Sequence, residues 1–297
     1  MYHVFYNPLS GNGHGADCVE KLKELLGADV KFTDVRDVKD YASYFAALTE
    51  NDSVVVAGGD GTLNHFVNDV EGLTIRNNVY LFTGGTGNDF KNDVAPNEEG
   101  LIRLNDYIKD LPIVEVKGMT RRFINGIGYG IDGYCCEVGD ELAKKSDKPV
   151  NYAGIAIKGL LFHYKPTHAT VTVDGETREF DRVWLAPSMN GRFYGGGMNI
   201  APSQDRLAQP KTLSLVVFHG SGKLKTLMIF PSIFKGEHIK HEKQITILKG
   251  RDITVAFDRP VALQIDGETV LGVTEYTVHA NAPAPAAPAS EAAPAEV

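Results

Sequence analysis

The stretch Ser53-Val54-Val55-Val56-Ala57-Gly58-Gly59-Asp60-Gly61-Thr62-Leu63-Asn64 limits the fold more than any other part of the chain. Ser53 to Ala57 is short, apolar and β-branched, the pattern of a buried strand. Three glycines around one aspartate break that pattern, and Leu63, Phe66, Val67 and Val70 follow at helical spacing. A strand, a glycine turn and a helix start place backbone N–H groups at a helix N-terminus, where phosphate can be held. A tight βα turn that needs positive φ would account for one or two of the glycines. It would not account for an aspartate among three of them with Thr62 and Asn64 beyond, so the stretch reads as a phosphate site.

The surrounding sequence repeats the arrangement. His3 to Tyr6 reads as a strand, Asn7-Pro8-Leu9-Ser10-Gly11-Asn12-Gly13-His14-Gly15 as a loop, and Cys18 to Leu26 as a helix. A second strand, Asp29 to Thr33, precedes a helix over Asp40 to Leu48. Val79 to Phe82 is a further strand running into Thr83-Gly84-Gly85-Thr86-Gly87-Asn88-Asp89-Phe90. Three strands thus end in Gly/Asn/Asp/Thr loops, and in an open parallel sheet those carboxyl ends share one edge, where ligands bind. Gly11 to Ala16 also fits the loose dinucleotide fingerprint, with Asp34 near the end of the second strand.

Past about residue 110 the texture changes. Short strand-like runs dominate: Ile113–Val116, Arg122–Asn125, Thr170–Val173, Arg182–Ala186, Leu213–Phe218, Gln244–Leu248, Asp252–Phe257, Ala262–Ile265 and Glu275–Val278. That pattern suggests a β-sandwich or barrel. The expected organisation is an α/β nucleotide-binding domain over 1–110, a β-sandwich domain over 111–279, and a low-complexity, disordered Ala/Pro-rich tail over 280–297. The N-terminal domain is expected to be able to regain the last residues before the tail. The net charge of −8 argues against broad nucleic-acid binding. Three cysteines make no disulfide framework or spaced zinc site, the N-terminus lacks signal-peptide character, and no run approaches the length of a membrane span. A cytoplasmic protein with at most peripheral membrane contact is expected. A homodimer is compatible with the sequence, which sets no oligomeric state.

Asn7-Pro8-Leu9-Ser10-Gly11, Gly58-Gly59-Asp60-Gly61-Thr62-Leu63-Asn64 and Gly85-Thr86-Gly87-Asn88-Asp89-Phe90, with Gln264-Ile265-Asp266-Gly267-Glu268 near the end, resemble the diacylglycerol kinase catalytic-domain family. The nearest likeness is to soluble bacterial lipid kinases, with sphingosine, ceramide and NAD kinases as more distant kin. The resemblance implies an NAD kinase-like α/β domain, a C-terminal β-sandwich and an active site between them. It implies Mg²⁺-dependent transfer of the γ-phosphoryl of ATP to a lipid hydroxyl, with diacylglycerol as the leading acceptor. By matching position, Asn7, Ser10, Thr33, Gly58, Gly59, Asp60, Gly61, Thr62, Leu63, Asn64, Thr86, Asn88 and Asp89 would form the ATP side. Asp60 would stand beside the phosphates and metal, Asp132 at the cleft, and Glu268 would be the general base. Val173-Asp174-Gly175-Glu176 repeats the Asp-Gly-Glu of the catalytic segment. Local pattern makes both a hairpin turn, and only the resemblance prefers Glu268 over Glu176.

Two departures stand out. Where relatives carry an Asp-Asp-Gly segment that holds a structural Mg²⁺, this chain has Asp205 as the one carboxylate, too few oxygen ligands for a hard cation. This counts against a structural metal, and Lys211 or Arg206 is the candidate replacement charge. Lys91-Asn92 stands where relatives have Ala-Arg, leaving Lys91 as a candidate cation near the phosphates. Lys223 to His241, basic and apolar together, is a candidate membrane face, although packing on the sandwich is the ordinary fate of such a helix. Val150 to Tyr164 is expected to be core rather than a lipid clamp. Three other readings stay open: a kinase of a sphingoid base, another lipid or NAD; a non-catalytic nucleotide- or lipid-binding regulator; and a dinucleotide-dependent oxidoreductase.

Overall fold

A computed structural model of the protein describes residues 1–8, 15–83, 88–145 and 150–281. Ser10, Thr86, most of the fingerprint at 11–16 and the tail beyond residue 281 lie outside the described residues. Four strands, β1 (Tyr2–Tyr6), β2 (Val30–Asp34), β3 (Ser53–Ala57) and β4 (Asn78–Phe82), form a parallel sheet in the order β2-β1-β3-β4, with β5 (Ile102–Arg103) antiparallel at the edge. Their register aligns Asp34, Tyr6, Ala57 and Phe82. All four strands therefore stop at one level, and the loops after them converge on one edge, as open parallel sheets require of a binding site.

Helices cover both faces of this sheet: α1 (Gly15–Leu26), α2 (Tyr41–Ala46), α3 (Asp60–Asp69), α4 (Asp89–Val94) and α5 (Asn105–Ile108). Phe5, Val54 and Val56 pack with Leu63 and Phe66 on one side, whereas Val4 and Val55 pack with Cys18 and Leu22 on the other. Alternation of side chains along a strand explains why the apolar run at 53–57 is continuous: both faces are buried.

The rest forms an antiparallel β-sandwich. Its larger sheet takes β6 (Ile113–Val116), β7 (Met119–Arg122), β8 (Gly126–Tyr129), β9 (Thr167–Val173), β10 (Glu176–Val183), β11 (Ser188–Met189), β14 (Leu213–Phe218), β15 (Ile245–Gly250), β16 (Asp252–Ile265) and β17 (Glu268–His279). A small ribbon, β12 (Phe193–Tyr194) with β13 (Met198–Asn199), stands apart from it. Three helices join them: α6 (Ile131–Ala143), α7 (Tyr152–Lys158) and α8 (Lys223–Ile229).

Several sequence expectations are corrected. Of Arg122–Asn125 only Arg122 is strand, as the end of β7; beyond it the Ile124 and Asn125 N–H groups donate to the Asp266 carboxylate instead of a ladder. The runs at 252–257 and 262–265 are one strand bent by a bulge around Pro260, a position that tolerates proline. The segment at 182–186 leaves β10 after Val183, and Leu185 makes only isolated bridges. Helix α6, unforeseen in the sequence, packs closely through glycines: a Cβ on Gly133 would strike the Ala262 backbone and one on Gly139 the Tyr152 ring. Ala280, expected in the tail, is buried, and its N–H bonds the Arg251 carbonyl at 2.7 Å.

Candidate active site

The glycine-aspartate turn joins β3 to α3, and among the described residues no side chain caps the helix. The first N–H groups of the helix are therefore left for a ligand or solvent. A Cβ on Gly58 would collide with the Thr62 side chain, so packing alone requires that glycine. At Gly59 and Gly61 an added Cβ meets none of the described residues within 4 Å. Those two glycines leave the helix N-terminus open, which suits a group as bulky as phosphate. Leu63 is fully buried in the sheet-packing core, so only its backbone can serve the cleft.

Asp60 ties this turn to the third loop. Its carboxylate accepts the N–H groups of Asp89 at 2.7 Å and Phe90 at 3.1 Å, in the first turn of α4. Asn88 caps that helix through the Lys91 N–H at 2.7 Å, and Lys91 itself lines neither cavity described below. Asp89 in turn reaches the sandwich domain, accepting the N–H groups of Gly196 at 2.9 Å and Gly197 at 2.7 Å. Gly195, Gly196 and Gly197 all have positive φ, the backbone that turns these donors towards the carboxylate.

Between the domains lies a cavity of about 560 Å³. Asp60, Asp89, Asp132 and Asp266 line its polar part, while Ile131, Ala156, Leu185, Met198, Phe230 and Phe234 give it apolar walls. Burial pushes the Asp60 carboxyl up to about 6, the Asp89 carboxylate adds to the rise, and the two backbone donors oppose it. Asp132, in the first turn of α6, is likewise pushed up to about 6 by burial, against the Tyr194 hydroxyl that donates to it at 3.0 Å. Burial raises Asp89 and Asp266 as well. Asp266 is nevertheless well satisfied, by the N–H groups of Ile124, Asn125 and Gly126 and by the Asn64 amide at 2.7 Å. Val150, Tyr152 and Ala156 also line this space. The segment expected to be core is in part a cavity wall: Ile155 and Leu160 are buried, while Val150, Tyr152 and Ala156 face the cavity.

Glu268 stands elsewhere. It is 35% exposed, forms an ion pair with Arg121, and meets His65 Nε2 at 2.9 Å. Arg121 also donates to Asn64 Oδ1 at 2.9 Å, so the Asn64 side chain bridges the two domains. The two Asp-Gly-Glu segments are the same turn, with φ of 48° and 88° at Asp174 and Gly175 against 47° and 98° at Asp266 and Gly267. Their surroundings separate them. Glu176 has an 83% exposed side chain, whereas Glu268 sits against α3.

His65 and Thr62 lead to a second, smaller cavity of about 200 Å³ at the carboxyl edge of the sheet, lined also by Asn7, Arg36 and Asp69. Thr33 lines neither cavity; its hydroxyl meets that of Tyr44 at 3.4 Å. Sequence reading missed Arg121, His65, Tyr194 and the glycines that bind Asp89. The run Gly195-Gly196-Gly197 is the one signal in the sequence that could have pointed to those donors. At the expected structural-metal segment, Arg206 is buried, donates to Asp93 at 2.6 Å and lies over the Phe90 ring, while Lys211 bonds the Asp110 carbonyl. Asp205 only closes a turn onto the Leu207 N–H. Among the described residues no three acidic, histidine or cysteine side chains gather as a metal cage.

Comparison with known proteins agrees with this fold. Residues 1–112 match the family described as "Diacylglycerol kinase catalytic domain", and residues 125–286 match "YegS C-terminal NAD kinase beta sandwich-like domain". The chain is 26% identical to "Putative lipid kinase YtlR" of Bacillus subtilis (strain 168), over 96% of this chain and 98% of that protein. It is 24% identical to "Diacylglycerol kinase" of the same organism, over 89% and 88% of the two chains. Its fold is similar to a solved structure titled "Crystal structure of a putative diacylglycerol kinase from Bacillus anthracis str. Sterne". That match has a TM-score of 0.66 at 22% identity and covers 94% of this chain and 91% of the other. At that identity the likeness is one of fold.

Proposed function

The chain belongs to the family of lipid kinases that join a diacylglycerol kinase catalytic domain to a YegS-type β-sandwich, and from that premise we propose that it phosphorylates a lipid hydroxyl from ATP, with diacylglycerol the leading acceptor and phosphatidate the product. The observation that carries the proposal is the cavity of about 560 Å³, apolar along its walls and ending on the Asp60 and Asp132 carboxylates beside the open N-terminus of α3. Its volume falls within the range of about 300–1,000 Å³ that encloses small ligands.

In this reading the triphosphate rests on the α3 N-terminus, where the open sides of Gly59 and Gly61 admit it. Nucleotide contacts extend through Asn7 and Thr62 into the smaller cavity. The acceptor chain lies along Ile131, Ala156 and Phe230, which orients its hydroxyl towards the carboxylates. Asp132 holds that hydroxyl. Asp60 receives its proton, since a carboxyl at about 6 is ionised at neutral pH yet basic enough to accept. Mg²⁺ would be held through the substrate phosphates, where it would neutralise charge on the transferring group; a cation bound in that way needs no protein cage and leaves the Asp60 carboxylate to the proton.

A second reading makes Glu268 the proton acceptor, as the family resemblance implies, and its placement against His65 of α3 favours it. In the first reading Glu268 instead fixes Arg121 and His65 beside the phosphates. Asp60→Asn and Glu268→Gln, assayed with γ-labelled ATP and diacylglycerol across pH, separate the two. The first reading expects Asp60→Asn to abolish transfer and Glu268→Gln to retain the acid limb of the profile. Loss of that limb in Glu268→Gln alone would assign the base to Glu268.

A further inference from the structure

The exposed apolar side chains of Phe162, Leu224 and Met228 are 73%, 73% and 75% in solvent. Single exposed apolar residues need no explanation, but adjoining ones do. Leu224 and Met228 stand one turn apart on α8, hence on one face. Lys223 Nζ bonds the Leu161 carbonyl at 2.8 Å, which sets Phe162 beside the start of that helix. The opposite side of the same segment is firmly packed, with Thr226, Ile229, Ile233 and His238 buried. The exposed face is therefore presented by an anchored element. It also continues into the larger cavity: Phe230 and Phe234 follow α8 and line the cavity, and Phe234 is 47% exposed.

Charge decides the occupant. The chain carries −8 overall, yet residues 151–165 and 223–241 together contain Lys158, Lys165, Lys223, Lys225, Lys235 and Lys240 against one acid, Glu237. That acid is already paired with Lys240 at 2.9 Å. Exposed lysines on the same two segments as large exposed apolar side chains repel a second copy of the face and are complementary to an anionic lipid surface. We propose that this face docks on an anionic bilayer and sets the mouth of the cavity at the membrane. The inference rests on reading the cavity as a lipid acceptor site.

The test uses the full chain and vesicles of phosphatidylcholine, alone or equimolar with phosphatidylglycerol. Co-sedimentation with the mixed vesicles is expected to weaken about tenfold or more in Leu224→Ser/Met228→Ser, two apolar side chains withdrawn from burial. Lys223→Glu/Lys225→Glu is expected to lose about fivefold per lysine on mixed vesicles only. Both variants should phosphorylate a short-chain diacylglycerol in monomeric solution like the parent. Vesicle binding unchanged in both variants would overturn the proposal. So would a dimer that the variants disperse while vesicle binding stays intact. If the parent phosphorylates no lipid but the variants still lose vesicle binding, the docking face stands and the kinase reading fails.

Discussion

Asp132→Asn should stabilise the protein while impairing it. Asp132 is 8% exposed, and its carboxyl is pushed from 3.8 up to about 6 by burial. A folded-state value above the unfolded one means the fold favours the protonated acid. The associated stability is fully present below about 4 and is lost as pH rises through about 6. Two units correspond to about 3 kcal/mol by which the ionised carboxylate destabilises the fold at pH 7. Asparagine removes that term but has one oxygen for two donors, the Tyr194 hydroxyl and the Gly133 N–H. Losing one such bond costs about 1 kcal/mol, so the net gain is about 2 kcal/mol at pH 7, falling towards zero or below near pH 4. Trp184, the single tryptophan, is buried in the sandwich core and reports urea unfolding by fluorescence. With a slope of about 2 kcal/mol per molar urea, the midpoint should rise by about 1 M at pH 7. Lipid phosphorylation should fall by at least about tenfold in the same variant. A variant less stable at pH 7, or a gain that does not change between pH 4 and pH 7, would refute the reasoning.

The kcat/KM for lipid phosphorylation should show an acid limb near pH 6, falling about tenfold per unit below it, because Asp60 must be ionised to accept the proton; a stopped assay across pH 5 to 8 measures it. Gly58→Ala should cost about 1–3 kcal/mol in urea unfolding through its clash with Thr62. Gly61→Ala should leave stability nearly unchanged and weaken ATP binding, measured by calorimetry. Arg206→Met should destabilise by about 3 kcal/mol, the lower end for breaking a buried pair, since Arg192 still holds Asp93; thermal unfolding reads that loss.

What was legible in the sequence was local. The run from Ser53 to Asn64 declares strand, turn and helix within twelve residues, and its glycines and aspartate fall where the structure uses them. The cavity was not legible, because its walls come from α6, α7, the β12–β13 ribbon and the turn after α8, segments far apart in sequence and composed like ordinary core. Helix α6 was hidden by Gly133 and Gly139, which break its apolar pattern and yet allow its close packing. The two Asp-Gly-Glu turns share backbone geometry, and only tertiary placement buries Asp266 among four donors while Asp174 bonds the N–H groups of Arg251 and Asp252 at the surface. Chemistry written in one segment could be read. Of the chemistry assembled across the domain boundary, the family resemblance named Asp132 and Glu268, whereas Arg121, His65, Tyr194 and the Gly196 and Gly197 donors emerged only in the fold.

The central claim is that a lipid hydroxyl and the terminal phosphoryl of ATP meet at Asp60 and Asp132. Its most direct measurement is incubation of the protein with γ-labelled ATP and Mg²⁺ against a panel of diacylglycerol, a sphingoid base and NAD, followed by separation of labelled products. Label in phosphatidate, absent with Asp60→Asn, is the expected result. Label in NAD alone, or in none of the panel while ATP is bound, would contradict the account.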